Sequence, residues 1–214
     1  MMIRRVAASL FSTGLALVML AAPSHADPTN LVQPWPSNTS YNMLSSWVKE
    51  GVPQDVATFH TATMDGEVSE LKDDGDVAFR LPGAVRGREL KGCITDFANS
   101  DTLTCLPPLS SPVRKPRKVE GHWMGNWVEF NGKTLTVGSS HADPGIFMQG
   151  SGNALAFGHS LAFGNYRCRS DMTGLYCLND ATRTGFRISN TITAYGCTQV
   201  ADVPYGIGAK FECG

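Results

Sequence analysis

The stretch closest to a catalytic motif is Gly158-His159-Ser160-Leu161-Ala162. It follows the nucleophile-elbow pattern Gly-x-Ser-x-Gly except for its final alanine. In a hydrolase with that motif, an acidic residue and then a histidine follow the serine along the chain. No histidine follows His159 here, and no strand-turn-helix pattern surrounds the serine. We therefore interpret this stretch as a glycine-rich turn.

Histidine, acidic and arginine side chains together would suit a small secreted hydrolase or nuclease. His141 with Asp143, or His122 with His159, are the pairs that suggest a general base or metal ligands. No His-x-His or His-x-x-x-His spacing is present, so such a site needs assembly from distant segments. His141, Asp143 and His159 are weak catalytic candidates, and partly exposed loop residues are the simpler interpretation. The arginines available to such a site are Arg167, Arg169, Arg183 and Arg187.

The strongest charged feature is a run of four positive side chains within residues 114–118. The run belongs to a proline-rich connector, residues 110–118, and consists of Arg114, Lys115, Arg117 and Lys118. A cluster of this density attracts anionic polymers or lipid headgroups, and salt weakens the attraction by screening. The alternative interpretation is a solvated linker.

Two tryptophans follow the connector. Trp123 and Trp127 are four residues apart, so a strand would direct both rings to one face. Exposed rings would stack on sugars or other apolar faces, whereas buried rings would be part of a β-sandwich core, which is the commoner case. Together with the four basic residues, they are the predicted binding residues.

Residues 65–76 carry six acidic side chains but lack the ligand spacing of an EF-hand loop. We interpret them as a solvated turn region and predict no metal site. No cofactor-binding motif is present either, so no cofactor is expected.

Six cysteines fall into three local pairs: Cys93 and Cys105, Cys168 and Cys177, Cys197 and Cys213. An even number of cysteines in an exported chain indicates disulfides, and six cysteines allow 15 connectivities. Nearest-neighbour pairing is expected because each pair brackets a plausible hairpin. Structural zinc usually shows Cys-x-x-Cys spacing, which is absent, so zinc is the weaker alternative. The two halves that flank the connector are loosely alike, which suggests a duplication.

The N-terminus has the pattern of a secretory signal peptide. Two arginines precede an apolar stretch at residues 6–22, and the small residues Ser24 and Ala26 follow it. Cleavage after Ala26 is expected to remove residues 1–26. The alternative, an uncleaved membrane anchor, needs about 20 apolar residues, and this stretch is shorter.

The expected mature chain, residues 27–214, has 16 basic and 19 acidic residues once Arg4 and Arg5 are removed, a net charge of −3. This mild balance argues against nucleic acid as the partner. No other segment is long and apolar enough to span a membrane, so none is expected after cleavage. The predicted location is extracellular, either secreted or at the cell envelope.

The pattern of turns and apolar residues predicts one helix and many strands. Ser40 to Glu50 is the best helix, within an extended and helical N-terminal segment over 27–76. From Val77 onward, short β-rich runs alternate with turn residues, which indicates a β domain over 77–214. Asn131-Gly132 predicts a two-residue hairpin turn with positive φ at both residues. We expect a mainly β, disulfide-braced β-sandwich or small barrel.

A recurring motif reads Cys-x-Ser, then Gly-x-x-Cys-x-Asn, then Gly-Phe. Its residues here are Cys168, Ser170, Gly174, Cys177, Asn179, Gly185 and Phe186. In this motif the chain resembles small secreted actinobacterial, mycobacterial-type proteins of unassigned function, and the segment from Phe79 to Cys105 is similar to that group's first cysteine pair. The resemblance covers roughly residues 77–192. The helical N-terminal segment and the C-terminal tail with Cys197 and Cys213 do not follow the pattern of that group. It implies a secreted β protein and carries no catalytic residue.

The sequence therefore predicts a non-catalytic extracellular binding protein. An anionic or glycan component of the cell envelope is the expected partner. The alternative is a small secreted hydrolase or nuclease that uses histidine, aspartate and arginine side chains.

Overall fold

The computed structural model of the protein describes residues 32–34, 39–82, 92–97, 100–140 and 145–214. The predicted signal peptide, His141 and Asp143 lie outside these described residues. The chain is mainly β with one α-helix near its N-terminal region and three disulfides, which confirms the predicted fold class. The helix is α1 Tyr41–Lys49, and short 3-10 helices cover Val56–Phe59 and Gly145–Gln149. The strands are β1 Val32–Pro34, β2 Val52–Pro53, β3 Thr61–Met64, β4 Glu67–Glu70, β5 Ala78–Arg80, β6 Gly92–Asp96, β7 Ser100–Leu106, β8 Met124–Phe130, β9 Thr134–Ser139, β10 Asn153–Ala154, β11 His159–Phe163, β12 Tyr166–Asp171, β13 Gly174–Asn179, β14 Thr184–Ile188, β15 Ile192–Tyr195, β16 Cys197–Gln199 and β17 Ile207–Cys213.

Two large sheets form the two layers, and each is built on five consecutive antiparallel strands. Sheet I has the order β1-β15-β14-β13-β12-β11-β2, with β1 and β2 added in parallel at its edges. Sheet II has the order β10-β5-β6-β7-β8-β9-β17-β16. Neither sheet closes into a barrel, so the sandwich is the correct one of the two predicted architectures.

The core between the sheets contains one matching row of side chains from each sheet. In both rows the disulfide occupies the second and third strands of the five. The rows are Phe79–Cys93–Cys105–Val128–Val137 in sheet II and Leu161–Cys168–Cys177–Phe186–Ala194 in sheet I. Every member is buried in the same apolar cluster. The likeness of the two halves that the sequence suggested therefore extends to strand order and register.

The three disulfides join the nearest-neighbour cysteines, as expected. Each bridge links residues directly opposite each other on adjacent antiparallel strands. Cys168 and Cys177 are fully buried, whereas Cys197 and Cys213 are only partly buried on the two strands at one edge of sheet II. Two bridges therefore belong to the core and the third ties an edge strand.

Helix α1 forms where the sequence predicts it. The Ser40 side chain caps it by accepting a hydrogen bond from the Met43 backbone N–H at 3.2 Å. Its apolar stripe, which includes Leu44 and Val48, is buried with Leu178 in a separate small cluster. The helix therefore covers part of the outer face of sheet I.

Some local predictions were wrong. The sequence predicts a glycine-rich turn at residues 158–162, but 159–162 lie in β11, and Ser160 is buried with its Oγ donating to the Gly51 carbonyl at 3.1 Å. In the 131–134 turn only Gly132 has positive φ, because the Asn131 side chain accepts the Lys133 and Thr134 backbone N–H groups. The described two-residue turn with positive φ at both positions is Asp65-Gly66, between β3 and β4.

Candidate functional site

The basic connector is a loop that runs beside β8, β9 and β17 of sheet II. The Val113 N–H donates to the Gly125 carbonyl at 2.9 Å, which fixes the loop to the start of β8. The Val119 N–H donates to the Pro116 carbonyl at 3.0 Å, and the Val119 side chain is buried. Because both ends are held, the charged side chains between them project from a defined backbone.

All four basic residues of the connector are exposed. Lys115 Nζ donates to the Gly121 carbonyl at 2.7 Å, so its side chain lies along the loop toward Gly121. The ion pairs within the described ranges, Arg167–Asp180 and Lys210–Glu212, involve none of the four. The positive charge of residues 114–118 is therefore left without a carboxylate partner among the described residues.

Trp123 lies directly beside this connector. Its Nε1 donates to the Val113 carbonyl at 2.8 Å, and its ring is half-buried. A Cβ at Gly138 would lie 2.7 Å from the indole and would collide with it. A Cβ at Gly208 would lie 3.2 Å from the indole and would crowd it. Two glycines on adjacent strands therefore make the space that seats Trp123 against sheet II.

Trp127 is separated from the connector by its burial. Only 6% of the residue is exposed, its Nε1 donates to Glu129 Oε1 at 2.8 Å, and its ring packs edge-on against Phe147 at 5.4 Å. The structure thus brings Trp123 to the basic residues and makes Trp127 part of a second apolar cluster. Trp127 offers no free ring face for stacking.

Tyr205 is a connector neighbour that the sequence analysis missed. Its hydroxyl accepts the Glu120 N–H at 3.1 Å, and 63% of the residue is exposed. The contact joins segments far apart in the chain, so no local pattern signals it. The connector surface therefore consists of Arg114, Lys115, Arg117, Lys118, Trp123 and Tyr205.

The histidines of the described residues form no pair with a serine or an acidic side chain. His60 Nδ1 lies 3.0 Å from the Asp76 backbone carbonyl. His122 is exposed, and His159 is partly exposed on β11. None of the hydrogen bonds within the described ranges joins His122 or His159 to another side chain. The weak catalytic candidate His159 therefore has no described catalytic partner.

The arginines considered for a nuclease site instead hold α1 and the neighbouring turns to the outer face of sheet I. Arg169 stacks over the Trp47 ring at 4.1 Å, and its Nη1 donates to the Trp47 carbonyl. Arg183 lies over the Tyr41 ring at 4.8 Å. Cation–π contacts of this kind stabilise by about 0.5–2 kcal/mol each. Arg187 over Tyr176 and the Arg167–Asp180 ion pair continue the same layer.

The residues best placed to hold a cation are Asp73, Asp76 and Asp96, whose carboxylate oxygens lie within 4.8 Å of one another. Asp76 is buried, and its Oδ1 accepts the Thr95 hydroxyl at 2.9 Å and the Phe97 N–H at 2.8 Å. These bonds give Asp76 a structural role, since they tie the end of β6 to the segment before β5.

Five positions of the motif that carries the actinobacterial resemblance have a clear structural role. Cys168 and Cys177 form a core disulfide, and Phe186 completes its row. A Cβ at Gly174 would lie 2.2 Å from the Ile188 carbonyl oxygen. Asn179 is buried, and its Oδ1 accepts the Ala181 and Thr182 N–H groups. The motif therefore specifies a hairpin and its turn.

Tyr166 makes the stability of the fold depend on alkaline pH. Its hydroxyl donates to the Asp101 carbonyl at 2.6 Å, and burial raises the pKa of Tyr166 to about 12. A raised pKa stabilises the folded state fully below the ordinary tyrosine pKa near 10, and this contribution is lost as pH rises toward about 12. Burial also raises the pKa of Tyr41, which acts in the same direction.

We expect Tyr166→Phe to reduce the loss of stability between pH 9 and about pH 12, although its stability at pH 9 is lower because a buried hydrogen bond is missing. Urea unfolding midpoints measured across this range for both proteins test it. Parallel pH curves for Tyr166→Phe and the parent would contradict it.

Comparison with known proteins gives no match to a protein-family model, a curated protein or a solved structure. The class defined by the fold is a disulfide-braced, two-sheet β-sandwich. None of the helices in the described part of the chain is long and apolar enough to cross a membrane. The function must therefore be argued from the connector surface.

Proposed function

We propose that this is an exported, non-catalytic binding protein that attaches to anionic polymers or headgroups of the cell envelope through its connector surface. The three disulfides are consistent with an extracellular protein, because such bridges persist in oxidising compartments. We further propose that it groups with the small secreted actinobacterial proteins that it resembles. The support for that grouping is the Cys168 to Phe186 motif, which spans the second disulfide hairpin and the strand paired with it.

The observation that carries the proposal is the set of four exposed cations on a fixed loop, none of them in a described ion pair. A free cation near an anionic surface contributes about 1 kcal/mol of attraction. Four such charges give about 4 kcal/mol at low salt, which is on the order of a thousandfold in affinity. The loop that carries the charges is held to β8 by the Val113–Gly125 hydrogen bond, and the half-buried Trp123 ring adds a stacking surface beside them.

We expect the purified protein to co-sediment with isolated cell-envelope material at low salt and to remain in solution at high salt. Changing Arg114, Lys115, Arg117 and Lys118 to alanine should abolish pelleting at low salt, because the variant loses the whole positive cluster. Pelleting that survives both high salt and this variant would contradict the electrostatic proposal and would make Trp123 the next residue to change.

A matched pair of double variants separates position from net charge. The connector variant combines Arg117→Ala and Lys118→Ala, and the control variant combines Lys49→Ala and Lys72→Ala. Each variant removes two positive charges from exposed residues. Only the connector pair should weaken pelleting, by about tenfold or more in apparent affinity. Equal weakening by both pairs would show a general charge effect, and the connector would then not be the binding site.

The enzymatic alternative has less support. Within the described ranges no histidine contacts an acid or serine side chain, and the candidate arginines lie in the layer between α1 and sheet I. No observation on the described residues favours a hydrolase or nuclease over the binding role.

A further inference from the structure

A cleft of about 360 Å³ lies at the end of the sandwich where β8 ends, whereas the connector is held to the start of β8. Both sheets contribute to its lining: Phe97 and Asp101 come from the ends of β6 and β7, and the other residues come from the turns between β8 and β9, β11 and β12, and β13 and β14. Its size falls within the range of about 300–1,000 Å³ that is typical of small-molecule sites. We call it the amide cleft, and its rim consists of Phe97, Asp101, Asn131, Lys133, Asn165 and Thr182.

The floor of the amide cleft is rigid and already hydrogen-bonded. Tyr166 is buried with its hydroxyl held by the Asp101 carbonyl. Asn179 is buried, and its Oδ1 accepts the Ala181 N–H, the Thr182 N–H and the Thr182 hydroxyl. Thr184 Oγ1 donates to the Gly132 carbonyl at 2.6 Å, which joins the start of β14 in sheet I to the β8–β9 turn of sheet II. The floor is thus fixed before any ligand arrives.

The rim, by contrast, presents polar groups that the fold does not use. The hydrogen bonds of Asn131 engage its Oδ1, which leaves its Nδ2 outside every bond formed among the described residues. The side chains of Asp101, Lys133 and Asn165 are exposed and take part in none of the described ion pairs or side-chain hydrogen bonds. The rim therefore combines a free carboxylate, a free ammonium and free amide groups.

An aromatic ring completes one side of this rim. Phe97 is half-buried and stacks on Tyr166 with ring centroids 6.4 Å apart and an angle of 18°. Because its partner Tyr166 is fixed by hydrogen bonds, Phe97 presents a defined apolar surface. Beside it lie the amide and carboxylate groups.

We propose that the amide cleft binds a saccharide unit. Each sugar hydroxyl donates and accepts hydrogen bonds, so adjacent hydroxyls can satisfy the amides of Asn131 and Asn165 and the Asp101 carboxylate at once. The apolar C–H face of the ring can pack against Phe97. The opposite charges of Asp101 and Lys133 offset each other, so this cleft differs in chemistry from the connector. The proposal does not rest on the connector's role.

The test uses the isotope-labelled full-length protein and NMR titration. The probes are glucose, N-acetylglucosamine and glucuronate, each as the monosaccharide and as a short oligomer, with glycine as a zwitterionic competitor. We expect saturable shifts at millimolar sugar in the backbone amides of Asn131, Lys133, Asn165 and Thr182. If only the oligomers bind, the ligand is a saccharide unit within a glycan chain and not a free monosaccharide, and this result would also support the proposal.

Asp101→Ala and Asn165→Ala should each weaken sugar binding about tenfold, because each removes a group that pairs with hydroxyls. Both side chains are exposed. The Tyr166 hydroxyl contacts Asp101 at its backbone carbonyl, which the alanine variant retains, so the fold should persist. The connector variant with four alanines should bind sugar as the parent does. The proposal is overturned if no probe shifts these amides at 20 mM (an amount on the order of common weak-binding screens), if the shifts map elsewhere, or if glycine binds and sugars do not.

Discussion

Replacing both Cys168 and Cys177 by alanine is expected to lower the free energy of unfolding by about 4 kcal/mol. About 3 kcal/mol comes from the lost cross-link in the chain-entropy description, and the rest comes from the cavity left in a close-packed core. Both cysteines are fully buried between the sheets, so the neighbouring side chains can collapse only partly into that space. Urea unfolding without reductant, followed by tryptophan fluorescence, measures the change.

The matched control is the double variant Cys197→Ala with Cys213→Ala. That bridge has the longer sequence separation, 16 against 9, so loop length alone predicts that its loss costs slightly more. Its sulfurs are only partly buried, so we expect a smaller loss of about 3 kcal/mol. An equal or larger loss in the control would show that burial does not add to the contribution of the core bridge.

Phe186→Ala should destabilise the protein by a similar amount, about 4 kcal/mol. The Phe186 ring is fully buried and packs edge-on against Phe130 of the opposite sheet at 5.1 Å. Truncation therefore removes contacts between the two layers and next to the Cys168–Cys177 bridge. Thermal and urea unfolding of the variant test the prediction.

Phe157→Ala provides the comparison for that measurement, because half of Phe157 is exposed, at 50%. We expect its effect to be about 1 kcal/mol or less. If both variants lost the same stability, the core between the sheets would not be the main source of the fold's stability.

The elements that could be predicted from the sequence are those whose contacts are local. Helix α1 begins directly after its cap Ser40, close to the predicted start, because the cap and the apolar stripe lie within one short segment of the chain. The cysteine pairs were predictable for the same reason, since each bridge closes one hairpin. Short, strongly patterned segments therefore carry their own structural information.

The elements that could not be predicted depend on distant partners. Residues 158–162 look like a turn because of Gly158, yet 159–162 belong to β11, since β12 on one side and β2 on the other supply the hydrogen bonds of that strand. Residues 207–213 form β17 by pairing with β9, far earlier in the chain. Local composition does not contain these contacts.

The same division applies to the candidate sites. The four basic residues of the connector can be recognised in the sequence because they lie within five residues, and Trp123 follows them closely enough to be predicted as part of the same surface. The separation of Trp123 from Trp127 follows from the irregular register of β8 and from the Phe147 ring, which no spacing rule reveals. The amide cleft draws on residues from both sheets that are far apart in the chain, so only the folded chain assembles it.

The parallel edge strands have a consequence for the order in which the chain matures. Val32 pairs opposite Ile192 and Val52 opposite His159, so the earliest-made strands need partners that are synthesised much later. Contacts of such long sequence separation form slowly because loop closure costs entropy before any packing is gained. The local hairpins and their disulfides can form first. The two edges of sheet I, where β1 and β2 add to the sheet, are therefore the last parts of the sandwich to assemble, and until then the edges of β15 and β11 are open to pairing with other chains.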